Sequence, residues 1–414
     1  MKRALNRIIA FDIAFWKVIR YFSLPFIIFS ISLVFSCGGG GGGGGSTGTG
    51  AGTAPKIPQA EILIGWWTEM PNSGAWPGYA ENGCNFFNIG GANWFTAAEV
   101  RAQLDIVQSL GGKASIDMQR GSGFPELNLS DYTNFVNTVK THPALWGYYI
   151  ADEPDLCPER GLSVQECHDR LALDPGWYPI TKAADPNHYS WLVCANAICP
   201  EFNDVADIVA IDSYPVYDDA CEFCTNEIRR QPDIQQTGVD NAERLNKGPY
   251  IAMVQAFAAM RWSEPTLPEM KYQSFTALVQ GARVILWWND EWANDSIKNK
   301  VAQIQKMIRD VRTQLDSSIK NDPMVSVNQN LIAQDKLIFR YGIVGNAGAL
   351  LAVNIANRGS SDGETLSAVQ FTLPAGVRAN QVEVIGEGRT LPVTNGVFTD
   401  NFDRFQVHLY RFSY

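Results

Sequence analysis

Histidine is nearly missing from this chain: four in 414 residues, His142, His168, His188 and His408, dispersed along its length. None stands at metal-ligand spacing, which excludes a histidine-based metal centre, and no cofactor is expected. Positive charge is also short. Lys and Arg number 33 against 43 Asp and Glu, a formal net charge of -10. That balance argues against nucleic acid as a partner. The acidic residues are scattered, with no acidic tail. Internal repeats of solenoid length are absent, which removes the stacked-repeat architectures. The charge-free apolar run at residues 21–35 is shorter than the roughly 20 residues a spanning helix needs.

What is present begins with that apolar run. Lys2, Arg3, Arg7, Lys17 and Arg20 lie before it and Val34-Phe35-Ser36-Cys37 closes it, the order of a signal segment. The closing residues resemble a bacterial lipoprotein processing site. The resemblance implies a signal segment at residues 1–37, lipidation of Cys37 and a membrane partner reached through that lipid. An uncleaved N-terminal membrane anchor is the alternative. Either way the rest of the chain stands outside the cytoplasmic membrane, in the cell envelope. An unbroken glycine run at residues 38–45 follows, within a Gly/Ser/Thr-rich linker at 38–59. Such composition buries no core and serves as a flexible tether.

Eight cysteines are present in all, and in an exported protein most should pair. Cys157 and Cys167 bracket one short loop and are expected to form a disulfide. Cys194, Cys199, Cys221 and Cys224 are expected to pair among themselves, in an order that the spacing leaves open. Cys84 sits in an apolar strand pattern and is expected to stay a free thiol. Zinc at Cys221-x-x-Cys224 lacks a second close ligand pair, so the disulfide reading is preferred there.

Hydrophobic residues make up 46% of the chain, enough for a sizeable core. From residue 61 onward short apolar strands recur between helical stretches. Eight are expected, at residues 62–67, 85–89, 114–118, 146–150, 191–194, 207–212, 250–254 and 284–288. Helices are expected at 96–110, 130–141, 269–280 and 295–315, the first with an apolar stripe at Val100, Leu104, Ile106, Val107 and Leu110. Eight strand–helix units over about 250 residues match an α/β (β/α)8 TIM barrel, here over residues 60–317. The link from the fifth strand to the sixth is short, so that crossover must be abbreviated. Beyond it, strands at 337–341, 349–353, 369–371, 381–384 and 406–410 alternate with turns. They predict a small C-terminal all-β sandwich domain over 318–414.

The chemistry gathers at the strand ends. The fourth strand, rich in apolar and aromatic residues, runs into Asp152-Glu153-Pro154. The proline stops extension of a central strand, so two carboxyl groups arrive together at a strand mouth. Other strands end in Trp66 and Glu69, in Asp117, in Asp212 and Tyr214, in Gln255 followed by Trp262, and in Trp288, Asp290 and Glu291. Carboxyls, amides and aromatic rings on one face suit a sugar: hydroxyls take the hydrogen bonds, the pyranose face takes the stacking. Of twelve tryptophans, all but Trp16 fall between Trp66 and Trp292. Of Trp287 and Trp288, one is expected to pack outward and the other to reach the lumen.

The segment Ala151-Asp152-Glu153-Pro154 resembles the acid-bearing element of TIM-barrel glycoside hydrolases of the large retaining clan, with Asp152 where that clan usually has Asn. Asp212-Ser213-Tyr214-Pro215 and the trailing sandwich are similar to further parts of those enzymes. The resemblance implies an extracytoplasmic hydrolase of O-glycosidic bonds with a carbohydrate substrate and Glu153 as general acid. It places the nucleophile at the end of the seventh strand, where this chain has Gln255, an amide that cannot ionise. Asp212 and Glu291 are therefore the candidates for the second catalytic group, with Glu264, Asp290, Asp117 and Glu69 behind them. Substrate binding is assigned to Trp66, Glu69, Asp117, Asp152, Tyr214, Gln255, Trp262, Trp288 and Asp290. Two other readings stay open: a non-catalytic carbohydrate-binding barrel that lacks its nucleophile, and an envelope scaffold. Glu153 as a helix cap, Asp212 as a turn residue and Asp290 or Glu291 as solvated loop charges are the plainer alternatives.

Overall fold

The structure, a computed structural model, describes residues 61–68, 73–89, 95–118, 129–173, 177–195, 199–217, 226–245, 247–259, 261–356 and 364–413. Cys37, Glu69, Cys221 and Cys224 lie outside them. Eight strands close a parallel barrel in chain order: β1 (Leu63–Trp66), β2 (Phe86–Ile89), β3 (Lys113–Asp117), β4 (Leu145–Asp152), β5 (Tyr189–Ala195), β6 (Ile208–Ser213), β7 (Ile251–Gln255) and β8 (Val284–Trp288), which pairs back onto β1. Both faces of such strands are buried, so apolar residues occur at both parities. One parity fills the lumen, with Leu63, Trp67, Phe86, Tyr149, Trp191, Val193, Ala210, Met253 and Leu286. The other packs outward, with Ile64, Trp66, Ile211, Ala252, Val254, Ile285 and Trp287.

The helices around the barrel are α1 (Trp76–Asn82), α2 (Ala97–Ser109), α3 (Leu129–Val139), α4 (Val164–Ala172), α5 (Trp177–Ala184), α6 (Asn226–Arg229), α7 (Gln231–Leu245), α8 (Leu267–Gln280), α9 (Asp295–Arg309) and α10 (Arg312–Asp316). Local chemistry starts three of them with reciprocal capping boxes: Thr96 with Glu99, Ser163 with Glu166 and Thr266 with Glu269. Asn294 caps α9 by accepting the Ile297 N–H. The helix expected over 295–315 is two helices. Val311 leaves helical geometry between them, and this bend buries both Val311 and Leu315 in the outer core. The abbreviated β5–β6 crossover is a single 3-10 turn, Pro200–Phe202. Cys157 and Cys167 form a disulfide, as do Cys194 and Cys199, and Cys84 is buried and free. Among the described residues no helix is long and apolar enough to cross a membrane.

After α10 the chain is all β: β9 (Ile319–Lys320), β10 (Ser326–Val327), β11 (Leu337–Val344), β12 (Ala347–Asn354), β13 (Leu366–Thr372), β14 (Gln381–Val384), β15 (Arg389–Pro392), β16 (Val397–Phe402) and β17 (Val407–Ser413). They form a three-stranded sheet, β10-β13-β16, and a six-stranded sheet, β15-β14-β17-β12-β11-β9. Leu337, Phe339, Leu350 and Tyr410 of the larger sheet pack with Val369, Phe371, Phe398 and Phe402 of the smaller. The larger sheet's other face, through Ile338, Leu351, Val353 and Leu409, shares a core with Tyr272, Phe275 and Val279 of α8. With barrel on one side and sandwich on the other, α8 is buried on nearly its whole circumference. Sequence reading missed β16 because Asp400 occupies one of its core-facing positions. There it accepts hydrogen bonds from Arg389 and from the Tyr410 hydroxyl.

Candidate active site

An irregularity in β4 builds the mouth of the barrel. Tyr149 pairs with Trp191, but Ala151 pairs with Leu192 and Asp152 with Val193, leaving Ile150 as an extra residue. Trp191 and Val193 face the lumen. Strict alternation from Tyr149 would send Asp152 outward; the inserted residue reverses the parity and brings it in. Glu153 then adopts a left-handed conformation, φ 43° and ψ 55°, and its N–H donates to the Val193 carbonyl at 2.9 Å. A non-glycine residue there, directly before proline, carries strain of about 1–3 kcal/mol, and such strain gathers at functional sites.

Five acidic side chains gather around this turn. Asp212, at the end of β6 on the lumen parity, is buried with its carboxyl hydrogen-bonded to that of Glu153. Burial first, and the Glu153 charge second, hold the Asp212 carboxyl well above the ordinary carboxylate range. The pair therefore keeps a proton to higher pH than an isolated carboxyl would, and its titration belongs to both groups. Asp212 also accepts the Tyr214 hydroxyl, while its Oδ1 is buried with no hydrogen-bond partner among the described residues. Asp152 accepts the Tyr149 hydroxyl at 2.8 Å. Asp155 accepts the Ala195 N–H and ties the turn to the tip of β5. Burial raises both Tyr149 and Tyr214 well above the ordinary phenol value, and the neighbouring carboxylates raise them further, so both remain donors. Asp117 adds its charge to this group across Tyr149. Asp152 and Glu153 are half-buried and Asp212 is sealed behind them.

Aromatic rings line the other side. Trp288, half-buried, stacks on Tyr214 with ring centres 5.3 Å apart, and it meets Phe257 and Trp292 edge-on. Trp262 donates its indole N–H to the Tyr214 carbonyl and stacks on Tyr217, with the Arg261 guanidinium lying over both rings. In the lumen beneath, Trp67 packs edge-on against Tyr149 and Trp191.

No protein-family model matches the chain and no curated protein matches it. Solved structures do. A GH30 endoxylanase from Clostridium papyrosolvens C71 superposes with a TM-score of 0.54 at 11% identity, covering 88% of this chain and 98% of its own. The α-galactosidase I of Mortierella vinacea superposes at 0.49 and 13%, covering 87% and 98%. The likeness is one of fold. The chain is a TIM barrel with a C-terminal β-sandwich, the architecture it shares with the endoxylanase.

Several residues chosen from the sequence fall elsewhere. Trp66 has the outward parity and lies against Tyr79 of α1; its neighbour Trp67 is the ring in the lumen. Glu291 is exposed, and its charge bears on Tyr79, on the outer side of β1. Asp290 is buried between the Tyr79 hydroxyl and Lys298, 2.9 Å away, which makes it a structural ion pair. Glu264 is held by Lys300, Asn294 and Ser296 at the start of α9. Gln255 is fully buried. Its amide donates to the carbonyls of Val216, Phe257 and Ser263 and accepts the Val216 N–H. It fastens the loops after β6 and β7 to each other. Trp288, Tyr214, Trp262, Asp117 and Asp152 do converge near Glu153 and Asp212. Tyr149 was missed and Trp67, also at the end of the first strand, was passed over for Trp66, because a strand buried on both faces does not disclose which parity faces in. The one cluster with metal-ligand geometry among the described residues, Asp155 with Cys194 and Cys199, has both sulfurs joined in a disulfide and so cannot ligate.

Proposed function

We propose that this chain is an extracytoplasmic glycoside hydrolase that cleaves O-glycosidic bonds of an oligo- or polysaccharide, with Glu153 as its general acid. The observation that carries the reading is the Glu153–Asp212 pair, a proton-holding dyad at the mouth of a TIM barrel beside a half-exposed tryptophan. Glu153 is the member that substrate can reach. Asp212, behind it, is held above the ordinary carboxylate range, so the pair keeps a proton to higher pH than an isolated glutamate would. The hydroxyl of Tyr214 holds Asp212, and its ring stacks on Trp288, so one residue links the acid to the sugar platform. The protein that shares the architecture is an endoxylanase, which supports the substrate class.

The placement outside the cytoplasm rests on the leader and on lipidation at Cys37, and two disulfides fit an oxidising compartment. Domain limits of 1–37, 38–59, 60–317 and 318–414 belong to the same proposal. A panel of chromogenic glycosides, assayed with the wild-type chain and Glu153→Gln, tests the function. Turnover lost in the variant at a melting temperature no lower than that of wild type is expected. The second reading, a binding barrel without turnover, draws on the sealed Gln255. Calorimetric glycan binding with no product from any probe would favour it.

A further inference from the structure

A glycosidase needs a proton donor on one side of the anomeric carbon and a nucleophile, or a water held by a base, on the other. The mouth supplies the donor, and among the described residues at the ends of β6, β7 and β8 none stands where the usual second group would. Asp212 is in contact with Glu153, closer than the about 5–5.5 Å that separates a nucleophile from its acid. The end of β7 is Gln255, an amide spent on loop carbonyls. Asp290 and Glu264 are each tied to a lysine. The carboxyl that accompanies the acid is Asp152, one residue away, turned inward by the bulge and oriented by the Tyr149 hydroxyl at 2.8 Å. Consecutive Cα atoms are about 3.8 Å apart. When Glu153 addresses the glycosidic oxygen on C1, Asp152 is therefore at the right scale to meet the substituent on C2.

We propose that the substrate brings its own nucleophile: the chain hydrolyses β-glycosides of 2-acetamido-2-deoxy sugars, with Asp152 accepting the acetamido N–H. The inference rests on the hydrolase reading above. Glu153 gives its proton to the glycosidic oxygen as the C1–O bond breaks and the alcohol leaves. The acetamido carbonyl oxygen forms the new bond to C1, closing a five-membered oxazolinium ring whose N–H is held by Asp152. Water then adds to C1 and passes one proton to the Glu153 carboxylate. The C1–O bond of the ring opens, and the acetamide is restored. The net reaction is glycoside plus water to free sugar plus alcohol, with retained configuration. The amide oxygen can reach C1 only opposite the leaving group, which restricts substrates to 1,2-trans linkages, the β-anomers of the gluco and galacto series.

The test uses the full-length chain with p-nitrophenyl β-glycosides of N-acetylglucosamine and N-acetylgalactosamine, beside those of glucose, galactose and xylose. A preference of about 100-fold or more in kcat/KM for an acetamido sugar is expected. Trifluoroacetyl in place of acetyl should lower kcat/KM by about tenfold or more, because fluorine drains the attacking oxygen. Asp152→Asn should cut kcat on the acetamido substrate by about 100-fold and, because the Asp152 charge helps to hold the Asp212 carboxyl up, move the basic limb of the pH profile to lower pH. Turnover of the plain sugars without that preference, or indifference to fluorination, overturns the inference and leaves the hydrolase reading standing. Glycan binding with no turnover of any probe overturns both.

Discussion

At the residue scale the molecule turns on Glu153. Its backbone sits in a conformation glutamate rarely adopts, and its carboxyl is hydrogen-bonded to that of another acid. Both features cost stability, and they meet in one side chain. Glu153→Asn should therefore raise the melting temperature, since Asn tolerates the left-handed region and removes the like charge; a gain of about 1 kcal/mol is expected by urea titration. A fall in stability would show that the turn is not strained. Glu153→Gln should lower kcat/KM by about 10²–10⁴-fold, the range a general acid contributes. Asp212→Asn acts by charge. With its folded value raised, Asp212 weakens the native state as pH climbs from the ordinary carboxylate value through that raised one. The asparagine variant should thus be more stable than wild type at pH 7. Without the second carboxyl Glu153 loses its proton earlier, so the basic limb of the pH–rate profile should move to lower pH. A limb that stays in place would separate Asp212 from the acid.

At the scale of elements, β4 and α9 show how local chemistry is recruited. The eight-residue β4 could place either face inward, and one inserted residue, Ile150, settles which carboxyl enters the lumen. Glu264 steadies the start of α9. The Lys300 hydrogen bond is the main cause that holds its carboxyl down at about 2, with Asn294 and Ser296 adding to it. A depressed carboxyl stabilises the fold above its unfolded value, about 4.3, and that contribution fades as pH falls towards about 2. Glu264→Gln should accordingly match wild type in its acid-induced loss except across this window, where its melting temperature should change less with pH. Parallel curves would mean that the contacts at Glu264 are screened by solvent.

Over the whole molecule, the barrel and the sandwich share a core, with α8 between them. Arg340 of β11 donates to the Val279 carbonyl at the end of α8 and to that of Ser318, both at 2.8 Å. Beside it, a Cβ on Gly342 would collide with the Gln314 carbonyl of α10. Gly342→Val should cost about 1–3 kcal/mol by overpacking this junction. It should also split one thermal transition into two, as the sandwich and barrel lose their common core. A single sharp transition at the wild-type temperature would show that the junction yields.

Much of this architecture was readable from residues alone. The eight barrel strands are local patterns, written within a few positions of one another, and so is the arrival of Asp152-Glu153 at a strand end before proline. Hydrophobic periodicity and backbone capping act over those same distances, which is why the barrel followed from them. Which side of each strand faced the lumen did not follow, because β1 offers Trp66 and Trp67 to two apolar environments that the chain cannot tell apart. Nor did the partner of Glu153. Asp212 and Glu291 were equal as letters, and only barrel closure brought one against Glu153 and left the other on the outer rim. The sequence by itself determined the eight barrel strands and the arrival of Glu153 at a strand end; the tertiary structure alone decided parity, partner and proton, because these depend on contacts between residues tens of positions apart and on how much water burial removes from them.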